Sequence, residues 1–576
     1  MSAREPGTRR TSRRDFFRVG GIALGGIAVG GAATASIAAL TGEPEPTSTQ
    51  VPGFEHIVVL MGENRSFDNM LGHLYTPDTV PDGDTFEGLA FGDYSNTAPD
   101  GTVIPAHVYE GATDRIMCSP DPDPGETYPH VNTQLFGTID PPENANAWQH
   151  GMAAPFNAPE VGAKATMSGF VQDYLVNYRI VKRGAEPSAE ELAVAMGGFA
   201  PPMLPVLSTL AREFAVFDNW FAAVPSQTYC NRSFFNASTS HGFVTNGGEG
   251  GRGKWLDVPA YATIFNRLED AGLSWKVYFD KLQLVSLTGM LHAPALEKYW
   301  RTGHFAHMED FFHDAKHGTL PAYAFIEPRL VYNHNDFHPP HGRVREGDAD
   351  GESVFDSAVS DVRAGEALVA AVYDAVRTSS STHGSNARNT LLLITFDEHG
   401  GTYDHVPPPA ATPPRPGDDP GEMGFRFDRL GVRVPAIAVS AYTKRGTIIH
   451  QETHHAAVIA TLCRLHGLQP LTDRDRDAAD LFPVVNLTKP RDPSTWPTLT
   501  PAYVPPLQDE DELADLHTSP RPLTSPAKGL LGLLLARYGD PDAPEPETYH
   551  DAYQVLVEHG HGLFGDPGKG TPTPAP

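Results

Sequence analysis

Two uninterrupted apolar runs constrain the fold of this chain more than any other feature of its sequence. They are HIVVLM, residues 56–61, and TLLLITF, residues 390–396. A strand with one face in water alternates apolar and polar residues, whereas a strand covered on both faces is apolar throughout. Further apolar runs, such as VPAIAVSAY from Val434, alternate with amphipathic patterns along the chain. This alternation predicts an α/β fold in which helices cover both faces of a mostly parallel sheet.

The other predicted elements follow from periodicity and from turn-forming residues. Helices are predicted for residues 188–196, 204–214, 261–271, 358–377, 456–466 and 527–538. Two further strands are predicted, AVFDNWFAAV at 215–224 and LSWKVYF at 273–279. Gly, Pro and Asp dominate residues 77–142, which predicts long loops there.

The N-terminal segment has the pattern of a targeting sequence. TSRRDFF, residues 11–17, places paired arginines before two aromatic residues, and a Gly/Ala-rich apolar run follows to residue 40. This pattern predicts a twin-arginine export signal, so we expect the export machinery as a partner. The protein would then be secreted, periplasmic or associated with the cell envelope. The alternative is an N-terminal membrane anchor, which the many glycines and alanines disfavour.

The rest of the chain divides at changes in composition. After the signal and apolar region, 1–40, a Pro/Thr-rich linker is predicted for 41–52 and a main domain for 53–485. Proline returns from Asn486, so residues 486–576 are predicted to be an extension with one late helix and a disordered tail after Gly565.

The charge of the chain excludes some classes of partner. Its formal net charge is −28. Binding to nucleic acid requires a basic surface, so we expect no nucleic-acid partner. Attraction to anionic lipid is disfavoured for the same reason. We also expect no stable transmembrane anchor, because no long uncharged apolar run follows the N-terminal segment.

The two clearest strands end in the same kind of residues. HIVVLM-G is followed by Glu63 and Asn64, and TLLLITF is followed by Asp397 and Glu398. Carboxylate and amide oxygens are hard donors that suit a divalent cation. The alternative is that these residues are solvated loop acids or helix caps, which would be the better interpretation for either pair alone. Two matching pairs at two strand ends favour a metal site.

A hydroxyl and several histidines complete the candidate chemistry. Thr228 lies in AVPSQTYCNR, between a predicted strand and a predicted helix. The positive end of a helix dipole favours an alkoxide there, although a threonine before a helix is more often a cap. His130 and His338 lie in loops rich in proline and polar residues. His405 follows the second strand end and could act as a ligand or substrate contact, or equally support its loop.

These segments together resemble the bacterial phosphoesterase family that contains phospholipases C and a class of acid phosphatases. The resemblance begins at HIVVLMGENRSFDNMLG and continues through MSGFVQDY, MGGF, SQTYCNR, NDFHPP and TLLLITFDEHGGTYDHVPPP. It extends roughly from Phe54 to Leu468 in one consistent order, so residues 53–485 are interpreted as a catalytic phosphoesterase domain.

The resemblance implies a three-layer, alkaline-phosphatase-like α/β/α fold and one divalent metal ion of unknown identity. It implies five metal ligands: Glu63, Asn64, Thr228, Asp397 and Glu398. Thr228 would also be the nucleophile that forms a phospho-enzyme, while His130 and His338 would contact the phosphoryl group. Substrate contacts are expected from Asn231, Arg232 and His405.

This chain departs from the family pattern in three places. Ser226-Gln227 replaces the Gly-Pro pair usual before the nucleophile, and Tyr229-Cys230 precedes Asn231 where a proline is usual. The substrate entrance is therefore altered, and Ser226 is an alternative nucleophile. An Asp-His-Thr/Ser element is here His454-His455-Ala456. The residues after Asn486 also show no strand-rich module of the kind that some phospholipases C carry.

The sequence thus predicts an exported, metal-dependent hydrolase of phosphoric esters. The leading substrate is a phosphodiester of the phospholipase C type, either a phospholipid head group or a soluble phosphoester. The first alternative is an acid phosphatase that acts on phosphomonoesters. An alternative of another class is an inactive exported protein that binds metal or phosphate, although every proposed ligand and the hydroxyl are present.

Overall fold

An eight-stranded sheet forms the centre of the computed structural model, which describes residues 53–110, 116–339, 344–345, 354–355, 362–501, 517–520, 522–540 and 543–565. The predicted signal, the linker and the predicted disordered tail lie outside the described residues. The strands of the sheet are β1 His56–Gly62, β2 Ala215–Phe217, β3 Trp275–Phe279, β4 Phe305–His307, β5 Tyr323–Ile326, β6 Thr390–Phe396, β7 Ala436–Val439 and β8 Thr447–Ile449.

The sheet is mostly parallel, with the order β8-β2-β7-β6-β1-β5-β3-β4. Within it, β7 runs antiparallel to β6 and β2, and the remaining neighbours are parallel. Every residue of β6 is buried, as the apolar run predicted, because β6 is central and covered on both faces. The predicted α/β class with a mostly parallel sheet is confirmed.

The described helices are α1 Phe67–Leu71, α2 Tyr128–Phe136, α3 Phe170–Val181, α4 Ala189–Ala193, α5 Pro205–Glu213, α6 Thr228–Ala237, α7 Ile264–Asp270, α8 Leu287–Leu291, α9 Ala293–Leu296, α10 Met308–His317, α11 Val362–Arg377, α12 Ala456–His466, α13 Asp473–Asp477, α14 Ser525–Tyr538 and α15 Tyr549–Val555. One packed group contains α5, α10 and α11, and a second contains α6, α7 and α12. None of the described helices is long and apolar enough to span a bilayer.

Most sequence predictions agree with these elements, and two need correction. The predicted strand at 215–224 is two short strands, β2 and Trp220–Phe221. The run is divided because β2 pairs with β7 and β8 in the central sheet, whereas Trp220–Phe221 pairs with Thr453–His454 in a separate two-stranded sheet. The predicted loop region 77–142 also contains α2, together with the paired strands Ser95–Thr97 and Val103–Pro105. The first four residues of the predicted helix 358–377 lie outside the described residues.

Candidate functional site

The parallel pairing of β1 with β6 brings both predicted pairs of ligands to one edge of the sheet. The last paired residues are Gly62 and Phe396. Beyond them Asp397 N donates a hydrogen bond to Gly62 O over 3.1 Å, so the two chains leave the sheet side by side. Four buried side chains follow at this edge, Glu63, Asn64, Asp397 and Glu398. The structure therefore gathers the four side chains that the sequence proposed as ligands.

Two tight turns hold these side chains in place. Asn64 has a φ of 57°, a left-handed conformation that asparagine tolerates better than most residues. In the facing turn Gly400 has a φ of 60°, and a Cβ atom there would lie 2.3 Å from Asn64 O. Asn64 N also donates a hydrogen bond to Asp397 Oδ1 over 3.2 Å. Only glycine at position 400 allows the two turns to approach so closely.

Helix α6 presents Thr228 and Arg232 to the same edge. Thr228 is its first residue and therefore lies at the positive end of the helix dipole. One turn further, Arg232 Nη2 lies 3.0 Å from Glu63 Oε1, and Arg232 Nε donates a hydrogen bond to Asp397 Oδ2 over 3.2 Å. The sequence predicted that Arg232 contacts substrate. In the structure its buried guanidinium pairs instead with Glu63 and Asp397, two of the predicted metal ligands.

A cavity of about 230 Å³ opens beside Thr228. Its wall includes three predicted site residues, Glu63, Thr228 and His338. Arg252 and four residues at the start of α14, Ser525, Pro526, Lys528 and Gly529, complete its outer part. The C-terminal extension therefore forms part of the cavity, which composition alone did not indicate.

Glu126 is a residue of this cavity that sequence reasoning missed. Its carboxylate accepts a hydrogen bond from Asn64 Nδ2 and another from Gln227 Nε2, the latter over 3.0 Å. With Asp123 and His338 it forms a group whose ligand atoms all lie within 4.8 Å of one another. Glu126 lies in the Pro/Asp-rich loop before α2, with no strand to mark it. The signal available was its position four residues before His130.

His338 faces the cavity as a neutral ring. Burial lowers its pKa, although Glu126 and Asp336 oppose that effect. Its Nδ1 lies 2.6 Å from Pro339 O, which can only accept a hydrogen bond, so Nδ1 carries the proton. Its Nε2 therefore presents a lone pair and accepts a hydrogen bond from Asn64 Nδ2 over 3.0 Å.

His130 has a different electrostatic setting. It lies on α2, and its Nδ1 is 2.7 Å from Asp173 Oδ1. Burial acts to lower the pKa of His130, but the charge and the hydrogen bond of Asp173 raise it above the usual value. Gln134 donates to the second oxygen of Asp173 over 2.7 Å, which fixes the pair. His130 does not belong to the cavity wall itself, but its pKa is also raised by nearby Glu126.

The protein environment disfavours the ionised form of the acids at the strand ends. Burial raises the pKa of Glu63 and of Glu398 well above their usual values, with Arg232 opposing this at Glu63 and Glu126 adding to it at Glu398. Burial also raises the pKa of Asp397 to about 6 against the opposing charge of Arg232. One guanidinium does not balance this concentration of acids, so the site favours an added positive charge.

The donor atoms fit a divalent cation. Among the described residues, no group forms a hydrogen bond with the buried atoms Asn64 Oδ1 and Glu398 Oε1, which is costly unless another group binds them. Both are hard oxygen donors. Glu63, Asp397 and Glu398 nevertheless do not form a group within 4.8 Å among the described residues. Asp397 gives its oxygens to backbone N–H groups and to Arg232 instead.

Two neighbours of Thr228 serve the loop that carries it. Asn231, predicted to contact substrate, accepts a hydrogen bond from Val224 N over 3.0 Å and donates to Ser226 O over 2.7 Å. Ser226, the alternative nucleophile, is buried, and its hydroxyl donates to Val244 O. Both side chains are occupied in holding the chain before α6, which leaves Thr228 as the candidate nucleophile that lines the cavity.

His405 lies in a separate polar cluster. Its Nδ1 is 2.6 Å from Asp68 Oδ2, and its ring lies against Tyr94 with the centroids 4.2 Å apart. Arg433 pairs with Asp68 over 3.0 Å and with Asp404 over 2.9 Å in the same cluster. His405 is not part of the wall beside Thr228, so this geometry favours the supporting role among the two that the sequence left open.

His455 is a second residue whose role the sequence did not reveal. Its Nε2 lies 2.5 Å from Asp397 O and its Nδ1 accepts a hydrogen bond from Trp220 Nε1 over 3.2 Å. Burial lowers the pKa of His455 to about 4, so the ring is neutral and donates from Nε2. His455 therefore fixes the backbone of a predicted ligand from the N-terminal end of α12.

Comparison with known proteins identifies relatives over most of the chain. The Phosphoesterase family matches residues 54–469. Non-specific phospholipase C3 of Arabidopsis thaliana is 32% identical over 479 residues, which is 80% of this chain and 79% of the relative. Non-specific phospholipase C1 of the same plant is 32% identical and covers 75% and 70% of the two chains. Phospholipase C B of Mycobacterium tuberculosis is 25% identical over 478 residues, 78% and 81% of the two chains.

Solved structures give only distant matches. A protein in the alkaline phosphatase superfamily from Vibrio parahaemolyticus is 13% identical, with a TM-score of 0.28. The match covers 50% of this chain and 66% of the other. A phosphonate monoester hydrolase of Agrobacterium radiobacter is also 13% identical, with a TM-score of 0.23, and covers 50% and 73% of the two chains.

Proposed function

Because the chain belongs to the phosphoesterase family, we propose that it hydrolyses phosphodiesters of the phospholipase C kind through a phosphorylated Thr228. Its family and its relatives make it a phosphoric ester hydrolase. The preference for a diester is supported by relatives named phospholipase C that match about four fifths of both chains. The observation that carries the proposal is that Thr228 begins α6 on a cavity wall shared with Glu63 and His338.

The residues of the cavity support attack by Thr228. Its Oγ1 would form a bond to phosphorus while the bond from phosphorus to the leaving alcohol breaks, and the proton that Thr228 loses is balanced by one that the alcohol gains. Water would then cleave the phospho-threonine and restore the hydroxyl. His338 on the wall and His130, whose pKa is raised by Asp173 and Glu126, are the groups proposed to contact the phosphoryl oxygens, and His338 would make this contact with a proton on Nε2.

The acids at the strand ends would hold the cation that this chemistry uses. Glu63, Asn64, Asp397 and Glu398 are the proposed protein ligands, together with Thr228. A bound divalent cation supplies a Lewis acid that lowers the pKa of the hydroxyl and stabilises negative charge on the phosphoryl oxygens. Arg232 would hold Glu63 and Asp397 in position from α6. The identity of the cation is not fixed by the donor set.

Export is a separate part of the proposal. The paired arginines and the apolar run of residues 11–40 support delivery through the twin-arginine route. The enzyme would then meet its substrates outside the cytoplasm, as free phosphoesters or as phospholipid head groups.

The proposal is tested with Thr228→Ala and three substrates: phosphatidylcholine vesicles, bis(p-nitrophenyl) phosphate and p-nitrophenyl phosphate. We expect kcat on every hydrolysed substrate to fall by about 10³-fold or more, because loss of a nucleophile removes the covalent route. Metal content and Tm should stay close to wild type. Ser226→Ala is the matched control, and it should retain most of the activity because its hydroxyl bonds to Val244 O.

Three results would change the proposal. Undiminished hydrolysis by Thr228→Ala would exclude the phospho-threonine. A wild-type kcat/KM that is higher for the monoester than for both diesters would favour the acid phosphatase instead. Binding of metal and phosphate without turnover of any ester would favour the inactive binding protein.

A further inference from the structure

We propose that Arg252 and Lys528 form a subsite for an anionic group of the substrate, a carboxylate or a phosphate carried by one of the two alcohols of the phosphodiester. The inference deepens the proposed function and rests on it, because the subsite opens on the cavity that holds Thr228. It assigns a role to two basic residues that the proposed chemistry leaves unused, one of them in the C-terminal extension.

The first argument is that two cavities meet at these residues. The cavity beside Thr228 shares part of its wall, Gly247, Arg252 and Lys528, with a second cavity of about 340 Å³. This outer cavity continues along α14. A diester whose phosphorus lies at Thr228 would therefore extend one of its alcohols past both cations into the outer cavity.

The second argument is the charge where the cavities meet. Apart from the neutral His338, Arg252 and Lys528 are the basic side chains on the described wall of the inner cavity. Helix α14 begins on that wall at Ser525, so the positive end of its dipole adds to the two charges. The formal net charge of −28 does not oppose this attraction, because salt screens charges that lie more than about 8–10 Å away.

The third argument is that Arg252 has donors left for a ligand. Its Nη1 lies 3.6 Å from Glu545 Oε1, which is too far for a hydrogen bond. Its Nε is buried, and no group among the described residues forms a hydrogen bond of good geometry with it. A guanidinium presents N–H groups in a fixed fork that matches two oxygens of a carboxylate or a phosphate. An anion that reaches Arg252 would therefore gain charge-assisted hydrogen bonds.

The acids that face the two cations are exposed. Glu545 faces Arg252, and Glu547 Oε2 lies 3.0 Å from Lys528 Nζ. The two glutamate side chains are 78% and 71% exposed. Ion pairs as exposed as these contribute little, because water and salt screen them. A substrate anion would therefore compete readily for both cations.

Two glycines of α14 allow the helix to pack closely around the subsite. A Cβ atom at Gly532 would lie 2.7 Å from Arg252 Nε, and one at Gly529 would lie 2.9 Å from the Tyr229 hydroxyl oxygen. Glycine within a helix is destabilising relative to alanine. Two glycines three residues apart face the same side of the helix, so this side is shaped for close approach to Arg252 and Tyr229.

The test compares two esters of similar length with the full-length enzyme, 2-carboxyethyl p-nitrophenyl phosphate and 3-hydroxypropyl p-nitrophenyl phosphate. Release of p-nitrophenol gives kcat/KM for each ester, and we expect the wild type to favour the carboxyethyl ester. Arg252→Gln and Lys528→Gln should each lower the ratio of the two kcat/KM values by about tenfold, because each removes a charge-assisted hydrogen bond. Lys489→Gln, at an exposed lysine outside both cavities, should keep the wild-type ratio. Glu547→Gln should raise the ratio, because it frees Lys528.

A wild-type enzyme that hydrolyses the hydroxypropyl ester as well as the carboxyethyl ester overturns the inference, and that measurement needs no variant to fold. Equal losses on both esters in Arg252→Gln and Lys528→Gln overturn it as well, because the cations would then act on the reacting phosphate.

Equilibrium binding of the two esters to Thr228→Ala separates this inference from the proposed function. By isothermal titration calorimetry the carboxyethyl ester should bind about tenfold more tightly, and adding Arg252→Gln should remove the difference. Equal Kd values for the two esters would refute the subsite and leave the nucleophile standing. Hydrolysis by Thr228→Ala would refute the phospho-threonine, while a tighter Kd for the carboxyethyl ester would still support the subsite.

Discussion

At the scale of single residues, Arg232 connects helix α6 to the acids at the strand ends. It is fully buried and lies between Glu63 and Asp397, where it offsets part of the repulsion between the strand-end acids. A buried charge without its partner is expensive, so the two acids depend on Arg232 until a cation binds. The Asn64 amide links two further residues of the site, because its Nδ2 contacts both Glu126 Oε2 and His338 Nε2.

Arg232→Met is expected to destabilise the metal-free protein by about 3–5 kcal/mol at neutral pH, because it leaves two buried acids uncompensated. In the wild type the pKa of Asp397 is already raised to about 6, and the substitution should raise it further. A carboxyl group whose pKa is higher in the folded state adds stability below its unfolded pKa, and that stability is lost as pH rises through the folded pKa.

This effect is measured by denaturant unfolding between pH 4.5 and 8. Both wild type and Arg232→Met are first made metal-free with a chelator. The deficit relative to wild type should be smallest at the acid end and grow towards neutral pH. A deficit that is independent of pH would show that Arg232 acts by packing alone.

At the scale of elements, β1 and β6 determine where the site lies. Their parallel register brings the two strand ends together, and the turns after them meet at Gly400 and Asn64. Gly400 allows this close approach because it has no Cβ atom. Helix α6 then brings Thr228 to the same edge, because Arg232 one turn later bonds to the acids.

Gly400→Ala is predicted to destabilise the protein more than Gly467→Ala does. Both glycines have positive φ, 60° and 64°, so both substitutions add strain of about 1–2 kcal/mol. A Cβ atom at 467 meets nothing within 4 Å, whereas one at 400 overlaps Asn64 O. We expect overpacking to cost a further ~1–3 kcal/mol at position 400.

The measurement is the free energy of unfolding of both variants, together with their affinity for Mn²⁺. Only Gly400→Ala should bind the ion more weakly, because only its turn contacts a proposed ligand. Equal losses of stability and unchanged Mn²⁺ affinity in both variants would show that the contact between the turns is unimportant.

Sequence patterns predicted the buried elements well because their signals are local. The apolar runs identified β1 and β6, and the helix predicted for 456–466 has the bounds of α12. The reversed direction of β7 carries no local signal, since a central antiparallel strand is as apolar as a parallel one. Residues that directly follow a strand could be assigned to the site from the sequence. Glu126 and His455 could not, because only the three-dimensional fold of the chain brings them to the site.

At the scale of the whole molecule, the described residues between 53 and 565 form one compact unit in which separate parts of the chain meet at one cavity. The end of β1 contributes Glu63, α6 contributes the Thr228 hydroxyl, and the loop before α2 contributes Glu126. Helix α14 contributes Lys528 and Gly529 to the outer wall, although nearly 300 residues separate it from α6. Part of the predicted extension thus lines the cavity, which no short sequence motif could have indicated.

The central claim is that Thr228 carries the phosphoryl group during turnover. The most direct measurement is an acid quench of the full-length enzyme during steady-state hydrolysis of a phosphodiester, followed by peptide mass spectrometry. We predict that the peptide containing residues 223–232 gains the mass of one phosphoryl group, that fragmentation places it on Thr228, and that its amount falls when substrate is exhausted. Rapid turnover with no adduct on this peptide, or an adduct on Ser226, would contradict the account.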